Sequence, residues 1–401
     1  MEENNLKKHN VVYPDYDNCI INLISTILRT YGVVPDYNSL KQIDIEDIKT
    51  RKNIVLMIFD GYGFNLLKRY SKSSSSFLAQ HLVDKITSVY PSTTTSAITS
   101  IKTCKTPLEH GALGWTMFFK EYYKFIDFLP NWDSITGKVL DHSKYKTYDK
   151  MQFKNIFEMI HCSEPNVELY NVYAKYLANH PYSSAVCDPS RIISFRKTKQ
   201  LFKRIERLIK KKSNNRKFIM TYSSNPDALE HKNGTNSKVV EDFIRIIDFE
   251  IEKLTKKLVG TNTLIIVTSD HGLIDIEKYH YTNEDKELYD CIFLPTIPEP
   301  RFLSFFVKKH KLDKFKEAIK KYEDKFLILS REELLKKELL GIGKMHYKTD
   351  DLLGDFVGIA ISNHAMKSIA EQNGKWEKEF LAHHCGLTED EMYVPLIMIN
   401  V

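Results

Sequence analysis

Five short runs of apolar residues constrain the fold of this chain more than any other feature of its sequence. Apolar side chains fill nearly every position of the runs, many of them β-branched, which is typical of strands buried on both faces of a parallel sheet. Stretches with apolar residues at helical spacing lie between them, at 243–258 and 312–322. This alternation predicts an α/β fold with a central, mostly parallel sheet flanked by helices. The five runs are 53–59 (NIVLMIF), 217–222 (KFIMTY), 263–268 (TLIIVT), 356–361 (FVGIAI) and 394–399 (VPLIMI).

Two long segments interrupt the alternation of strands and helices. Residues 115–215 are rich in aromatic residues and prolines, and residues 280–350 combine a proline-rich piece (LPTIPEP) with basic helical patterns. We interpret both as cap insertions into one catalytic domain that spans residues 51–401. Residues 1–50 are predicted to form a helical extension that packs on this domain. A chain of 401 residues is long enough for one large domain of this kind.

The positive charge of the chain is mild. The net charge of +6 is spread over the whole sequence, and much of it falls in lysine-rich helical patterns such as residues 201–212. Solvated helix faces explain such a pattern, and attraction of anionic substrates is the alternative. The sequence has no dense arginine cluster and no zinc-finger spacing, so we do not expect a sequence-specific nucleic-acid-binding protein. The sequence is compatible with a homo-oligomer.

Cysteine usage and the length of the apolar runs indicate the cellular compartment. The six cysteines are scattered and form no CxxC pair, which favours reduced thiols over a disulfide framework. The first residues are polar and lack the apolar core of a signal peptide. No apolar run reaches the roughly 18 residues needed to cross a bilayer. The sequence therefore predicts a cytoplasmic protein without a membrane-spanning segment.

Metal-binding side chains follow two of the predicted strands. Asp60-Gly61 comes directly after residues 53–59, and Asp270-His271 comes after residues 263–268. Ligands of open α/β sheets bind at the carboxyl ends of the strands, so these side chains are expected at one edge of the sheet. Carboxylate oxygen and imidazole nitrogen together suit Zn²⁺ or Mn²⁺. Each pair alone also fits an ordinary turn.

Two further groups of candidate ligands lie later in the chain. Asp227 and His231 follow residues 217–222 and are four residues apart, so they share one face of a helical turn. This spacing allows chelation of one ion, and it is also the spacing of an ordinary surface pair. Near the end of the chain, His383 and His384 precede Cys385, and one of the two histidines is expected to serve as a late ligand.

A hydroxyl-rich segment at residues 90–96 (YPSTTTS) precedes a helical pattern that runs to residue 102. Serine and threonine are typical of helix N-caps, which explains the composition without any chemistry. A helix N-terminus also favours anions, because its first N–H groups are free and its dipole end is positive. A hydroxyl placed there beside a metal would ionise more easily and could attack phosphorus.

The order of these motifs resembles the alkaline phosphatase superfamily, and within it the type I phosphodiesterase / nucleotide pyrophosphatase family. The resemblance is greatest to a bacterial and archaeal branch that includes cyclic di-AMP phosphodiesterases. It runs from about residue 53 to the C-terminus. The motifs that carry it are Asp60-Gly61, Pro91-Ser92-Thr93-Thr94, Thr103-Cys104, Pro107-Leu108-Glu109-His110-Gly111, Pro226-Asp227 with His231, Asp270-His271-Gly272 and His384.

The resemblance implies two divalent metal ions, Zn²⁺ or Mn²⁺, and a threonine nucleophile. Asp60, Asp270 and His271 would bind one ion, which Thr94 also approaches, and Asp227, His231 and His384 would bind the other. Thr94 is the nucleophile because it is the fourth residue of Pro-x-x-Thr. The implied reaction is hydrolysis of nucleotide phosphodiester bonds, including those of dinucleotides or cyclic dinucleotides, through a phospho-threonine intermediate.

The chain departs from the family pattern at two positions. Cys104 stands where the family has glycine, and Trp115 stands where animal members have an asparagine that steadies a phosphate oxygen. That role is then expected to pass to the backbone N–H of Thr95, to the metals or to another side chain, with Trp115 as a further substrate-binding candidate. The aromatic residues of the first insertion could stack on nucleobases or could form an ordinary core. Two alternative functions stay open: a phosphomonoesterase or phosphotransferase of the same superfamily, and an inactive nucleotide-binding partner.

Overall fold

All five apolar runs form strands. The computed structural model describes residues 10–71, 75–148, 153–178, 180–368, 371–372, 375–376 and 379–401. In these residues the strands are β1 (Asn53–Phe59), β2 (Leu82–Thr87), β3 (Thr116–Phe119), β4 (Lys124–Asp127), β5 (Trp132–Asp133), β6 (Glu168–Ala174), β7 (Arg191–Phe195), β8 (Lys217–Ser223), β9 (Thr263–Thr268), β10 (Ile274–Asp275), β11 (Lys278–Tyr281), β12 (Ile297–Glu299), β13 (Phe302–Phe305), β14 (Phe326–Ser330), β15 (Phe356–Ala360), β16 (His364–Lys367), β17 (Glu371–Gln372), β18 (Lys375–Trp376), β19 (Ala382–His383) and β20 (Tyr393–Asn400).

Helices connect these strands, and the two predicted from apolar spacing are present. The α-helices are α1 (Ile20–Arg29), α2 (Ile45–Lys49), α3 (Phe64–Ser71), α4 (Phe77–Gln80), α5 (Thr94–Thr103), α6 (Pro107–His110), α7 (Ile156–Ser163), α8 (Lys175–Ala178), α9 (Pro181–Ala185), α10 (Thr198–Lys210), α11 (Asp227–Asn233), α12 (Lys238–Leu258), α13 (Lys286–Tyr289), α14 (Leu312–Ile319), α15 (Arg331–Lys336), α16 (Thr349–Leu352) and α17 (Glu389–Met392). Two 3₁₀ turns, Lys309–Lys311 and Lys320–Tyr322, flank α14. No helix in the described residues is both long and apolar enough to cross a membrane.

The central sheet contains seven strands in the order β2-β20-β9-β1-β8-β6-β7. Strands β9, β1, β8, β6 and β7 are parallel to one another, whereas β20 is antiparallel to both β9 and β2. Helices pack on both faces, because successive side chains of β1 enter opposite apolar clusters: Ile54 and Leu56 face one, Val55 and Met57 the other. The prediction of a mostly parallel sheet flanked by helices is confirmed.

Two of the five apolar runs do not have the strand environment that we predicted. The run at 394–399 is part of β20 and joins the central sheet in the antiparallel direction. The run at 356–361 forms β15, which lies outside that sheet, between β13 and β14 of a four-stranded antiparallel sheet in the order β12-β13-β15-β14. This small sheet is also buried on both faces, since Val357 and Phe356 enter different apolar clusters. A continuous apolar run reports burial and does not report strand direction.

The insertions have other boundaries than predicted. Among the described residues of 115–215, the three-stranded sheet β3-β4-β5 lies outside the central sheet, whereas β6 and β7 are strands of it. Neither strand is a continuous apolar run, so neither was predicted. Polar residues interrupt β6, and β7 is the edge strand and is only partly buried. The second segment forms the small antiparallel sheet, which extends beyond residue 350 to Ala360. At the other end of the chain, α1 is buried in the same apolar cluster as Ile54.

A buried ion pair joins the turn between β12 and β13 of the small sheet to α17, the short helix before β20. Arg301 Nε and Nη2 donate to the two carboxylate oxygens of Glu391, at 2.6 and 2.7 Å, and both side chains are fully buried. Glu391 also accepts from the backbone N–H groups of Gly386 (2.7 Å) and Thr388 (3.3 Å). The pair therefore fixes the course of the chain just after His384.

We expect Arg301→Met to lower the free energy of unfolding by about 3–5 kcal/mol, because Glu391 would be left as an unpaired buried charge. Chemical denaturation of the purified protein measures this change. The control is Lys256→Met, which breaks an exposed pair with Glu252 and should cost less than about 1 kcal/mol. Equal effects of the two substitutions would show that the Arg301 pair has no special role.

Candidate functional site

The carboxyl ends of three adjacent strands bring three aspartates to one edge of the sheet. Asp60 directly follows β1, and Ser269 alone separates Asp270 from the end of β9. Asp227 begins α11 after the turn that leaves β8. Backbone groups connect these ends directly. The N–H of Asp227 donates to the carbonyl of Asp60 at 2.8 Å, and the N–H of Gly61 donates to Asp270 Oδ1 at 3.3 Å. The parallel register of β9, β1 and β8 thus positions all three carboxylates.

The first cluster contains Asp60, Asp270 and His271, all buried. One donor atom of each residue lies within 4.8 Å of the others. His271 Nε2 is 3.5 Å from Asp60 Oδ1 and 3.7 Å from Asp270 Oδ2. The other oxygen of Asp270 accepts from the backbone N–H of His271 at 3.1 Å and from Ser269 Oγ at 3.2 Å. Asp270 therefore turns Oδ2 towards the cluster while Oδ1 is bound to the chain.

The second cluster contains Asp227, His231 and His384, with the same spacing of donor atoms. Asp227 Oδ1 is 3.2 Å from His231 Nε2 and 3.9 Å from His384 Nε2. His231 Nδ1 donates to the carbonyl of Ala382 at 2.7 Å, which directs Nε2 into the cluster. The two clusters are adjacent, because the ring centroids of His271 and His384 are 4.0 Å apart.

The charge balance of the two clusters favours cations. Burial raises the pKa of Asp60 well above its usual range, and the charges of Asp270 and Asp227 raise it further. Burial would also raise the pKa of Asp227, but His231 outweighs that effect and lowers it. Burial, together with His271 and His383, keeps the pKa of His384 well below its usual value, so this ring is a neutral nitrogen donor at pH 7.

Three buried carboxylate oxygens at the site lack hydrogen-bond donors in the described part of the chain, which bears on whether the site fits metal ions. Asp60 Oδ1, Asp227 Oδ1 and Asp270 Oδ2 have no hydrogen-bond donor among the described residues. Buried oxygens of this kind are costly unless a cation binds them. Each cluster offers carboxylate oxygen and imidazole nitrogen, the donor set that suits Zn²⁺ or Mn²⁺. The residues present therefore fit two divalent ions.

Thr94 lies beside the first cluster, at the N-terminus of α5. Its hydroxyl is 3.2 Å from His271 Nε2, and the residue is 7% exposed. The neighbouring hydroxyls point elsewhere: Thr93 Oγ1 donates to Glu299, and Thr95 Oγ1 is buried without a partner in the described part of the chain. Of the three consecutive threonines, Thr94 is therefore the one whose hydroxyl reaches the cluster.

The two positions that depart from the family pattern have clear local environments. Cys104 ends α5 in the left-handed region, with φ at 53°, which is a conformation that favours glycine. Trp115 is 41% exposed, and its backbone N–H, not its indole, is fixed near the site by Glu299. Nothing in these contacts gives the Trp115 side chain the role of the missing asparagine.

Two residues near the site, Tyr222 and Glu299, were not predicted from the sequence. The Tyr222 hydroxyl makes a short hydrogen bond to Asp60 Oδ2 and so orients that carboxylate. Its position at the end of a predicted strand was a usable signal. Glu299 is buried in the small sheet, where its Oε1 accepts from Thr93 Oγ1 and from the backbone N–H of Trp115, both at 2.7 Å. Burial raises the pKa of Glu299 to about 7. No sequence signal marks Glu299, which is some 200 residues from Thr93.

A cleft opens at the carboxyl ends of β6 and β7, next to the clusters. Its volume is about 460 Å³, and it is lined by Ala174, Lys175, Tyr176, Phe195 and Arg196. The Tyr176 hydroxyl makes a short hydrogen bond to Ser224 Oγ, in the turn that carries Asp227. The cleft is therefore basic and aromatic, and Tyr176 connects it to the second cluster.

A family model shows the family of this chain, and solved structures share its fold. The sequence model of the type I phosphodiesterase / nucleotide pyrophosphatase family matches residues 54–384. Murine ectonucleotide pyrophosphatase / phosphodiesterase 5, solved as an inactive variant in complex with AMP, superposes with a TM-score of 0.60 at 15% identity, over 86% of this chain and 87% of that chain. Phosphonoacetate hydrolase from Sinorhizobium meliloti, in complex with phosphonoacetate, superposes with a TM-score of 0.60 at 16% identity, over 86% of this chain and 89% of that one. At these identities the structures establish the shared fold.

A curated relative matches only locally. The 2,3-bisphosphoglycerate-independent phosphoglycerate mutase from Antithamnion sp. is 38% identical over 69 residues. The match spans 17% of this chain and 12% of the length of that enzyme.

We expect His384→Ala to lower the metal content of the zinc-loaded protein from about two ions to about one per chain, because the second cluster loses a ligand. Atomic emission after removal of excess metal measures this content. The matched control is His383→Ala, since the adjacent ring belongs to neither cluster. If the two variants keep equal amounts of metal, the choice of His384 is wrong.

Proposed function

This chain belongs to the type I phosphodiesterase / nucleotide pyrophosphatase family, and on that premise we propose that it hydrolyses nucleotide phosphodiester bonds with Thr94 as nucleophile. The family is a metal-dependent family of hydrolases. The observation that carries the proposal is the position of the Thr94 hydroxyl, 3.2 Å from His271 Nε2 and at the start of α5. A candidate nucleophile, two candidate metal clusters and a helix N-terminus thus meet at one edge of the sheet.

The proposed ligand sets are Asp60, Asp270 and His271 for one ion and Asp227, His231 and His384 for the other. When bound, two divalent ions supply positive charge that favours the Thr94 alkoxide and neutralises phosphate oxygens. Burial of both clusters supports this assignment, because electrostatic stabilisation is largest where water is excluded. Either Zn²⁺ or Mn²⁺ suits the donor atoms.

The reaction that we propose has two displacements at phosphorus. The Thr94 oxygen loses its proton and attacks phosphorus, and the bond to the leaving alcohol or nucleotide breaks as that group takes up a proton, which gives a phospho-threonine that still carries the second ester group. Water then attacks the same phosphorus, breaks the bond to the Thr94 oxygen and releases a phosphomonoester, while Thr94 regains a proton. The backbone N–H groups of Thr95 and Ser96, at the first turn of α5, are suited to bind a nonbridging phosphate oxygen throughout.

The cleft at β6 and β7 supports a nucleotide-type substrate. Lys175 and Arg196 would bind a further anionic group of the substrate, and the Tyr176 ring would stack on a base. A dinucleotide or a cyclic dinucleotide has both features on either side of the scissile bond. We propose a cytoplasmic substrate of this kind, in agreement with the six free cysteines of the chain.

The alternative is transfer or hydrolysis of a phosphomonoester, which the local match to a phosphoglycerate mutase favours. A monoester dianion needs an additional cation near the phosphate. Arg301 lies behind the His384 loop, but Glu391 binds it on two nitrogens, so it is not free for this task. Comparison of bis-nitrophenyl phosphate with nitrophenyl phosphate on the metal-loaded protein separates the two reactions; a preference for the monoester contradicts our proposal.

We expect Thr94→Ala to lower kcat for a diester substrate by at least about 10³-fold, because the nucleophile is lost, while two metals per chain remain. Thr94→Ser should keep part of the activity, because it retains a hydroxyl. Steady-state kinetics and metal analysis of the same samples provide the test. Turnover of Thr94→Ala near the wild-type rate would reject Thr94 as nucleophile.

We expect Arg196→Ala to raise KM for a dinucleotide about three- to tenfold, with a smaller effect on bis-nitrophenyl phosphate, which has no second anionic group. Lys203→Ala removes the same charge from the exposed face of α10 and serves as the control. Equal changes in the two variants would show that the cleft does not bind the substrate.

A further inference from the structure

The N-terminus of α5 lacks the side-chain cap that its sequence provides for. Thr93 is the N-cap residue and has the extended backbone of a cap, with φ at −134° and ψ at 151°, yet its side chain caps no N–H group. Its hydroxyl instead donates to Glu299 Oε1 at 2.7 Å. At the next helix, α6, the Thr106 hydroxyl does accept from the backbone N–H of Glu109. The difference lies in what occupies the Thr93 hydroxyl.

An N-cap hydroxyl normally accepts from the second or third N–H group of its helix. In α5 these groups belong to Thr95 and Ser96, and in the described part of the chain neither has a hydrogen-bond acceptor. They are the same groups that our proposed function assigns to a phosphate oxygen. A Thr93 hydroxyl that turned to cap the helix would therefore compete with the substrate for them.

Glu299 is held rigidly enough to prevent that turn. It is 6% exposed and ends β12, where its backbone pairs with Phe302 of β13. Gly114 packs so closely that an added Cβ would lie 2.7 Å from Pro298 and 3.0 Å from Glu299 Cγ. The same Oε1 atom also accepts from the backbone N–H of Trp115. This carboxyl oxygen thus has two donors in the protein and acts on the site through Thr93.

We propose that Glu299 is a positioning residue that keeps the Thr93 hydroxyl away from the N-terminus of α5 and so leaves the N–H groups of Thr95 and Ser96 open for a phosphate oxygen. The inference rests on the proposed function for the identity of the anion. It assigns a task to the small antiparallel sheet: β12 carries the side chain that prepares the helix of the nucleophile.

A double-mutant cycle on Glu299 and Thr93 tests this inference. We expect Glu299→Ala to weaken the binding of inorganic phosphate to the zinc-loaded full chain about tenfold, because Thr93 then caps Ser96, and to lower kcat more than it changes KM. In the Thr93→Val background, which has no hydroxyl to form a cap, the same Glu299→Ala change should cost less than about twofold. Isothermal calorimetry with phosphate gives the affinities.

Two further variants separate positioning from folding. Glu299→Gln keeps a carbonyl oxygen that can accept from both Thr93 and Trp115, so its phosphate affinity should stay within about threefold of wild type. Thr106→Val removes a true helix cap and should lower the thermal midpoint without weakening phosphate binding. Both outcomes are expected only if the hydroxyl of Thr93, and not general loss of stability, controls the site.

Several results would overturn the inference. Glu299→Ala could weaken phosphate equally with and without the Thr93 hydroxyl, it could leave the affinity unchanged, or the metal-loaded wild type could bind no phosphate. Failure of the proposed function is a separate result: wild-type protein that binds phosphate but cleaves no phosphate ester. In that case the cycle still decides whether Glu299 positions Thr93.

Discussion

Three aspartates present buried carboxylate oxygens at one edge of the central sheet, and the neighbouring contacts are arranged around them. Asp60, Asp227 and Asp270 follow neighbouring strands. Burial raises the pKa of Asp60, and the charges of Asp270 and Asp227 raise it further. Carboxylates that lie this close together and are shielded from water destabilise a folded chain unless cations neutralise them. The histidines of both clusters, together with the carboxylate oxygens that lack hydrogen-bond donors within the described residues, provide ligands for such cations. Metal binding and folding of this edge are therefore expected to be coupled.

The supporting contacts come from parts of the chain that are distant in sequence. Tyr222 orients Asp60, Arg301 and Glu391 fix the loop that carries His384, and Glu299 binds Thr93. Arg301 and Glu299 both belong to the small antiparallel sheet or its turn. That sheet thus contacts the loop of a candidate metal ligand and the helix of the candidate nucleophile. Its packing against the central sheet is part of the site, not only a cover over it.

The sequence was sufficient for the features that depend on local pattern. Strand β1 and the Asp60 that follows it could be predicted, because apolar periodicity and strand-end chemistry are local. The direction of β20 and the separate sheet of β15 could not, since an apolar run reports burial without naming its neighbours. Glu299 was missed for a related reason: its role arises from tertiary contacts with Thr93 and Trp115 that no spacing in the sequence encodes.

In the proposed function, Thr94 forms a covalent bond to phosphorus next to two metal ions. The most direct test is rapid acid quench of the zinc-loaded protein during turnover of a diester, followed by mass spectrometry of the peptide that contains Thr94. We predict that this peptide gains the mass of the phosphoryl group together with its remaining ester group, localised to Thr94, and that the gain disappears when the substrate is exhausted. Full turnover with no phosphorylated peptide at any quench time would contradict it.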